Sequence, residues 1–289
     1  MGAIAVVGSV NQDLHLRVES LPSPGETVLA ETVVTGTGGK GANQAVAVVA
    51  SGGAGYLVGA VGDDAAGAAA LEALRTHAVH LDAVHRLSDT PTGTAVVTVD
   101  ACGQNNIVVA AGANALLTPE QVTCALNNLP DVTTVLAQCE VSPEAVAAAA
   151  AHASSAGARF VLNLAPYRTI GASILKQCDP LVVNEVEATA LGRDLGLAVD
   201  NMEALSLELA KRCPSVVITL GPGGALLAQG ATRVLISAPA VHVVDTTGAG
   251  DAFVGALAAQ LAESGDLEHA CRAGVAAGSR AVQHHGALP

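Results

Sequence analysis

Short runs rich in Val, Ile and Leu recur along the chain: AIAVVG near residue 3, GYLVGAVG near 55, TTVLAQ near 133, RFVLNLA near 159, PLVVNE near 180 and SVVITLG near 215. Each is apolar almost without interruption, as a strand buried on both faces must be, and Ala-rich helical stretches separate them. This alternation predicts an α/β sandwich on a mostly parallel sheet, although periodicity alone leaves a closed barrel open. Two regions break the pattern. Residues 13–35 and 92–109 alternate apolar and polar positions around turn residues, which predicts half-exposed antiparallel strands and hairpins. They are read as a small β lid on one main domain spanning residues 1–289, a lid being what a water-excluding enzyme requires. Ser142, Pro143 and Glu144 start an Ala-rich helix that needs no special function.

Composition narrows the class. The chain is 51% hydrophobic but only 1% aromatic, so bases would find few stacking platforms, and a single-stranded nucleic-acid binder is disfavoured. A net charge of -13 opposes the broad basic surface that a polyphosphate backbone or an anionic membrane requires, so any bound phosphate must be held locally. The six cysteines show no CxxC spacing and read as reduced thiols. Residues 41–62 are uncharged but are interrupted by Ser51, Gly52, Gly53 and Gly55, and the N-terminus has no basic region or cleavage signature. A cytoplasmic protein is expected.

Two glycine-rich segments carry the candidate chemistry. In VDTTGAGDAFVGALAAQLA, residues 244–262, a turn runs directly into an apolar-periodic helix. Gly248, Ala249 and Gly250 would offer unpaired N–H groups at the helix N-terminus, an anion hole, with Asp251 beside it as helix cap or as base. A base next to a phosphate cradle is what phosphoryl transfer requires. In GTGGKGANQAVAVVA, residues 36–50, Lys40 precedes Gly41 where a P-loop needs Ser or Thr for Mg²⁺. The first strand is followed by VVGSVNQD, which lacks a GxGxxG fingerprint, so a Rossmann dehydrogenase is also disfavoured.

Together with GAVGDDAAG at residues 59–67, the segments GGKGANQA, AGAN and VDTTGAGD resemble the PfkB carbohydrate kinase family, co-linearly from Val6 to Gly286. The resemblance implies a three-layer α/β/α sandwich with a β lid, dimeric through lid contacts. It also implies ATP-dependent phosphorylation of the 5-hydroxymethyl group of a sugar, D-ribose first. Deoxyribose, fructose or adenosine are alternatives, and a non-catalytic sugar-binding homologue is a further one.

Carried over by motif, the sugar would be held by Asn11, Asp13, Gly39, Lys40, Asn43 and Glu140, with Asp251 as general base. Carboxylates and amides of this kind suit vicinal hydroxyls. An Asx turn is the plainer reading of Asn11 and Asp13. Asn184, Thr219, Gly221, Gly224 and Gly250 would border the nucleotide, and Glu187 would organise Mg²⁺ through water. Without the resemblance, Glu187 is an ordinary first-turn helix acid and TLGPGG a plain hairpin turn. A K⁺ activator would sit near Asp245, Thr247, Ala281, His284 and Gly286. The family pattern continues past the position of Pro289 with a Ser ligand and a terminal helix, which implies an incomplete cation site here.

Overall fold

The apolar runs assemble side by side in a computed structural model that describes residues 2–287, so the reading made of Pro289 lies outside the described residues. The strands are β1 (Ala3–Val7), β2 (Asn11–Arg17), β3 (Thr32–Gly38), β4 (Ala54–Gly62), β5 (Val84–Leu87), β6 (Gly93–Val99), β7 (Asn105–Ala110), β8 (Val132–Gln138), β9 (Arg159–Asn163), β10 (Cys178–Asn184), β11 (Val216–Thr219), β12 (Ala225–Gln229) and β13 (Thr232–Ile236). The helices are α1 (Lys40–Ala50), α2 (Ala65–Thr76), α3 (Pro119–Asn128), α4 (Pro143–Ala156), α5 (Ala172–Leu175), α6 (Glu185–Asp194), α7 (Met202–Leu209), α8 (Ala249–Ser264) and α9 (Leu267–Ala281).

The main sheet has the order β13-β12-β11-β10-β9-β8-β1-β4-β5. The run from β11 to β5 is parallel, and β12 and β13 close one edge as an antiparallel hairpin. All six predicted strands lie in the parallel part. Alternation along β1 shows why both faces need helices. Ile4 and Val6 pack with apolar residues of α1, α2, α8 and α9, whereas Ala5 and Val7 pack with those of α3, α4, α6 and α7. An open sheet covered on both faces replaces the closed barrel that periodicity left possible.

The second sheet, β3-β2-β6-β7, corrects one expectation. Its outer pairs are antiparallel, but the central pair β2 and β6 runs parallel, because after turning back through β3 the chain crosses α1, β4, α2 and β5 before it enters β6. The first alternating segment also begins two residues earlier than expected, at Asn11. This matters for the site, since Asn11 and Asp13 are strand residues on one face of the small sheet and not an Asx turn. α4 follows the expected start, with the Ser142 hydroxyl accepting from the Ala145 N–H at 3.1 Å.

Candidate active site

Parallel strands deliver their C-terminal ends to one edge of the sheet, where open α/β folds place their ligands. Here β1 ends before Ser9, β8 at Gln138 with Glu140 just beyond, β9 at Asn163, β10 at Asn184 and β11 at Thr219. The N-termini of α1 and α8 enter the same edge. Gly41, in the first turn of α1, lies against the main chain of Gly8 and Ser9, so a Cβ there would press on backbone that cannot move aside. Gly248, with φ 75°, is the residue from which α8 starts, and its missing side chain leaves room for the main chain of Ala287.

Glu140 ties β8 to α1. Its Oε2 accepts the Ser9 hydroxyl at 2.6 Å and the Lys40 N–H at 3.0 Å. Asp251 is only 8% exposed, in the first turn of α8, and its two oxygens accept from Asn43 Nδ2 at 3.0 Å and Gln44 Nε2 at 2.9 Å. The Asn114 side chain clamps the entry to the small sheet. It accepts from the Val10 N–H at 2.9 Å, and its Nδ2 donates to the Val10 carbonyl at 3.1 Å and to Asn11 Oδ1 at 2.8 Å. With its oxygen occupied, Asn11 keeps its amide donor for another partner.

The electrostatics bind these groups into one cluster. Burial pushes the Asp13 carboxyl up to about 6; the charge of His15 opposes this, while Glu140 and Asp251 add to it. Burial works against the Lys40 ammonium, but Asp251, Glu140 and Glu187 together outweigh it and hold its pKa above the ordinary lysine value. Glu187 is raised by burial, against the Asn184 N–H and the charge of Lys40. Among the described residues, Asp13 Oδ1, Asn43 Oδ1 and Gln138 Oε1 are buried acceptors without a donor. Such orphans are costly unless a ligand fills them.

The structure therefore gathers Asn11, Asp13, Gly39, Lys40, Asn43, Glu140 and Asp251 at one place. Asn184 and Glu187 form a reciprocal capping box at 2.8 Å in both directions, so the helix-end reading of Glu187 holds alongside its coupling to Lys40 and Asp251. Thr219 sits beside Asn184 in the β10–β11 register, while Gly221 and Gly224 form the turn from β11 into β12, so TLGPGG is indeed a hairpin turn as well. At α8, the Ala249 N–H bonds the Thr246 carbonyl at 3.3 Å. The N–H groups of Gly248 and Gly250 make no hydrogen bond among the described residues.

Asp245 accepts from the Thr247 N–H and hydroxyl at 2.9 and 2.7 Å and from the Gly286 N–H at 3.0 Å. Burial acts against its charge, but these donors win and keep its pKa below the ordinary carboxylate value. The Val244 and Asp245 N–H groups reach the Val282 carbonyl, and the His284 N–H bonds the Ala281 carbonyl, so the 245–247 and 281–286 segments meet. Among the described residues no group of three or more His, Cys, Asp or Glu is arranged to hold a metal ion.

Sequence reading missed Ser9, Gln44, Gln138 and Asn163, and it quoted AGAN without assigning Asn114 a role. The available signal was a polar residue closing an otherwise apolar strand, as in TTVLAQ and FVLN, or standing on the apolar face of α1.

Comparison with known proteins agrees with this geometry. Residues 1–289 match the sequence profile of the pfkB family carbohydrate kinases. A ribokinase of Bacillus subtilis (strain 168) is 39% identical over 287 residues, covering 99% of this chain and 95% of the relative. The crystal structure of a Thermotoga maritima ribokinase superposes with a TM-score of 0.91 at 33% identity, covering 100% of this chain and 95% of the other. An Arabidopsis thaliana ribokinase complexed with ribose and ATP gives a TM-score of 0.88 at 35% identity, over 100% and 95% of the two chains. With its parallel sheet, its separate small sheet and a profile match along its whole length, the chain belongs to the pfkB family of carbohydrate kinases.

Proposed function

We propose that the protein transfers the γ-phosphoryl group of ATP to the 5-hydroxymethyl oxygen of D-ribose. The carrying observation is the pair of buried, donorless acceptors Asp13 Oδ1 and Asn43 Oδ1 in the same cluster as Asp251. They call for a ligand with several hydroxyl donors, and the free amide of Asn11 supplies a donor in return. Asp251 takes the proton from the attacking hydroxyl. The Gly248–Gly250 segment and Lys40 stabilise charge on the transferring group, and the small sheet acts as the lid that excludes water.

Mg²⁺ fits beside Glu187, whose carboxylate spends one oxygen on the Asn184 N–H and retains the other for an ordered water. When bound, the ion would neutralise charge between the nucleotide phosphates. A monovalent cation such as K⁺ would bind near Asp245, Thr247 and the 281–286 segment, a reading supported by the meeting of the two segments at the Asp245 carboxylate. On the small sheet, Val33 and Val108 on one face and Val34 and Ile107 on the other are each more than half exposed, which supports a homodimer joined there. Sedimentation at twice the chain mass is expected, and a monomer at all concentrations would remove that assembly. The free state of all six cysteines supports a reducing, cytoplasmic setting.

ADP release with Mg·ATP, measured across ribose, deoxyribose, fructose and adenosine in K⁺ and in Na⁺, tests the reading. Selective turnover of ribose, stimulated by K⁺, is expected. Turnover of another substrate in its place would overturn the sugar assignment.

Affinity for ribose should also depend on pH. Sugar hydroxyls that donate to Asp13 favour its charged form and so lower its pKa from about 6. The complex then binds fewer protons than the free protein below that pH. Affinity is accordingly full above pH 6 and is lost as pH falls through it, by up to about tenfold per unit. Titration calorimetry should find the loss in the wild type and not in Asp13→Asn; equal affinity on both sides of pH 6 in the wild type would rule this out.

A further inference from the structure

Behind Asp251 runs a chain of buried amides that ends on the main chain of the sheet. Asn163, at the end of β9, donates its Nδ2 to the Val182 carbonyl of β10 at 3.3 Å. Its Oδ1 accepts from Gln44 Nε2 at 2.9 Å, and the same nitrogen donates to Asp251 Oδ1 at 2.9 Å. Gln138, at the end of β8, donates its Nε2 to Gln44 Oε1 at 2.7 Å. Gln44 and Gln138 are 0% exposed and Asn163 is 8% exposed.

The orientation of each amide is dictated by its neighbour. Turning Gln44 over would set its oxygen against both Asn163 Oδ1 and Asp251 Oδ1, and its nitrogen against Gln138 Nε2. Turning Gln138 over would oppose two carbonyl oxygens. The main-chain carbonyl of Val182 therefore fixes Asn163, and Asn163 and Gln138 together fix Gln44 so that its donor faces Asp251.

We infer that Gln44 is a positioning residue for Asp251, holding the carboxylate in the plane from which it receives the hydroxyl proton, with Gln138 and Asn163 as its anchors. The inference rests on the kinase reading above. Asn43 holds the other oxygen of Asp251, but it also faces the sugar cluster and must share its hydrogen bonds with the ligand. Gln44 is walled off from solvent, so it acts on the reaction only through Asp251. Asp13, Lys40 and Glu187 also lie within charge range of that carboxylate, and Gln44 orients it without adding charge to the balance.

The test is a cycle of Gln44→Met with Asp251→Asn, read in kcat and KM. Met keeps the length of Gln and removes both its donor and its acceptor. In the wild-type background, kcat should fall about 10- to 100-fold with KM for ribose and ATP within about twofold, as expected of a misdirected base. In the Asp251→Asn background the same substitution should cost less than about threefold, because the group it acts through is already disabled.

Equal losses in both backgrounds, a loss confined to KM, or an unchanged kcat would overturn the inference. Should Gln44→Met fail to fold, Gln138→Met carries the test, since it leaves the donor in place and releases its orientation. A smaller fall in kcat that vanishes in the Asp251→Asn background is then expected, and an unchanged kcat overturns the inference. Absence of turnover by the wild type would instead remove the kinase reading, and the inference with it.

Discussion

Asp251→Asn should lower kcat by about 10²- to 10⁴-fold while ribose and nucleotide binding persist. The substitution preserves shape but removes the basicity needed to accept a hydroxyl proton. Its cost is not purely chemical. Asp251 accepts amide donors on both oxygens, from Asn43 at 3.0 Å and from Gln44 at 2.9 Å. An Asn side chain accepts from only one of them, and the other contact survives only if Asn43 turns its donorless Oδ1 toward the new amide, so stability should also fall, by about 1 kcal/mol. Kinetics, calorimetric titration and thermal melting together separate the two effects. Turnover near that of the wild type would exclude Asp251 as the base.

Lys40→Met is expected to reduce kcat/KM by about 10²- to 10³-fold, the scale of losing one group that stabilises developing charge. The main-chain bond from Lys40 to Glu140 at 3.0 Å survives this change, so the N-terminus of α1 stays anchored and the effect isolates the ammonium. Without it, Asp251, Glu140 and Glu187 face one another uncompensated. Lys40 lowers the pKa of Glu187, so its removal pushes that acid further above the ordinary value and weakens any cation held there. Lys40→Arg should recover little, because a larger planar guanidinium replaces a mostly buried, compact ammonium that feels the charge of three acids. Recovery to within about threefold by Arg would show that positive charge alone suffices.

Much of the fold was legible because six parallel strands are buried on both faces and read as continuous apolar runs. β5, β12 and β13 were not. VHRL carries two polar residues in four; ALLAQ is a buried apolar run, but it is short and built of Ala and Leu as the helices are, and TRVLI is mostly exposed. The parallel pairing of β2 with β6 was also hidden, since alternation reports which face is wet and says nothing of strand direction. In the site, the glycine loops marked where main chain approaches main chain and led to Lys40, Asn43 and Asp251. The amides behind them were invisible to motif reading. Gln44 stands out in sequence only as a polar residue on the apolar face of α1; its contacts with Gln138 and Asn163 depend on strand order, which no local pattern encodes.

The most direct measurement is the position of the phosphate in the product. The protein is incubated with ribose and Mg·ATP, and the phosphorus–proton couplings of the product are recorded by NMR. Phosphate coupled to the methylene protons of carbon 5, formed by the wild type and at least about 100-fold more slowly by Asp251→Asn, is the predicted result. Phosphate on another oxygen of the sugar, or release of free phosphate with no sugar ester, would contradict the account.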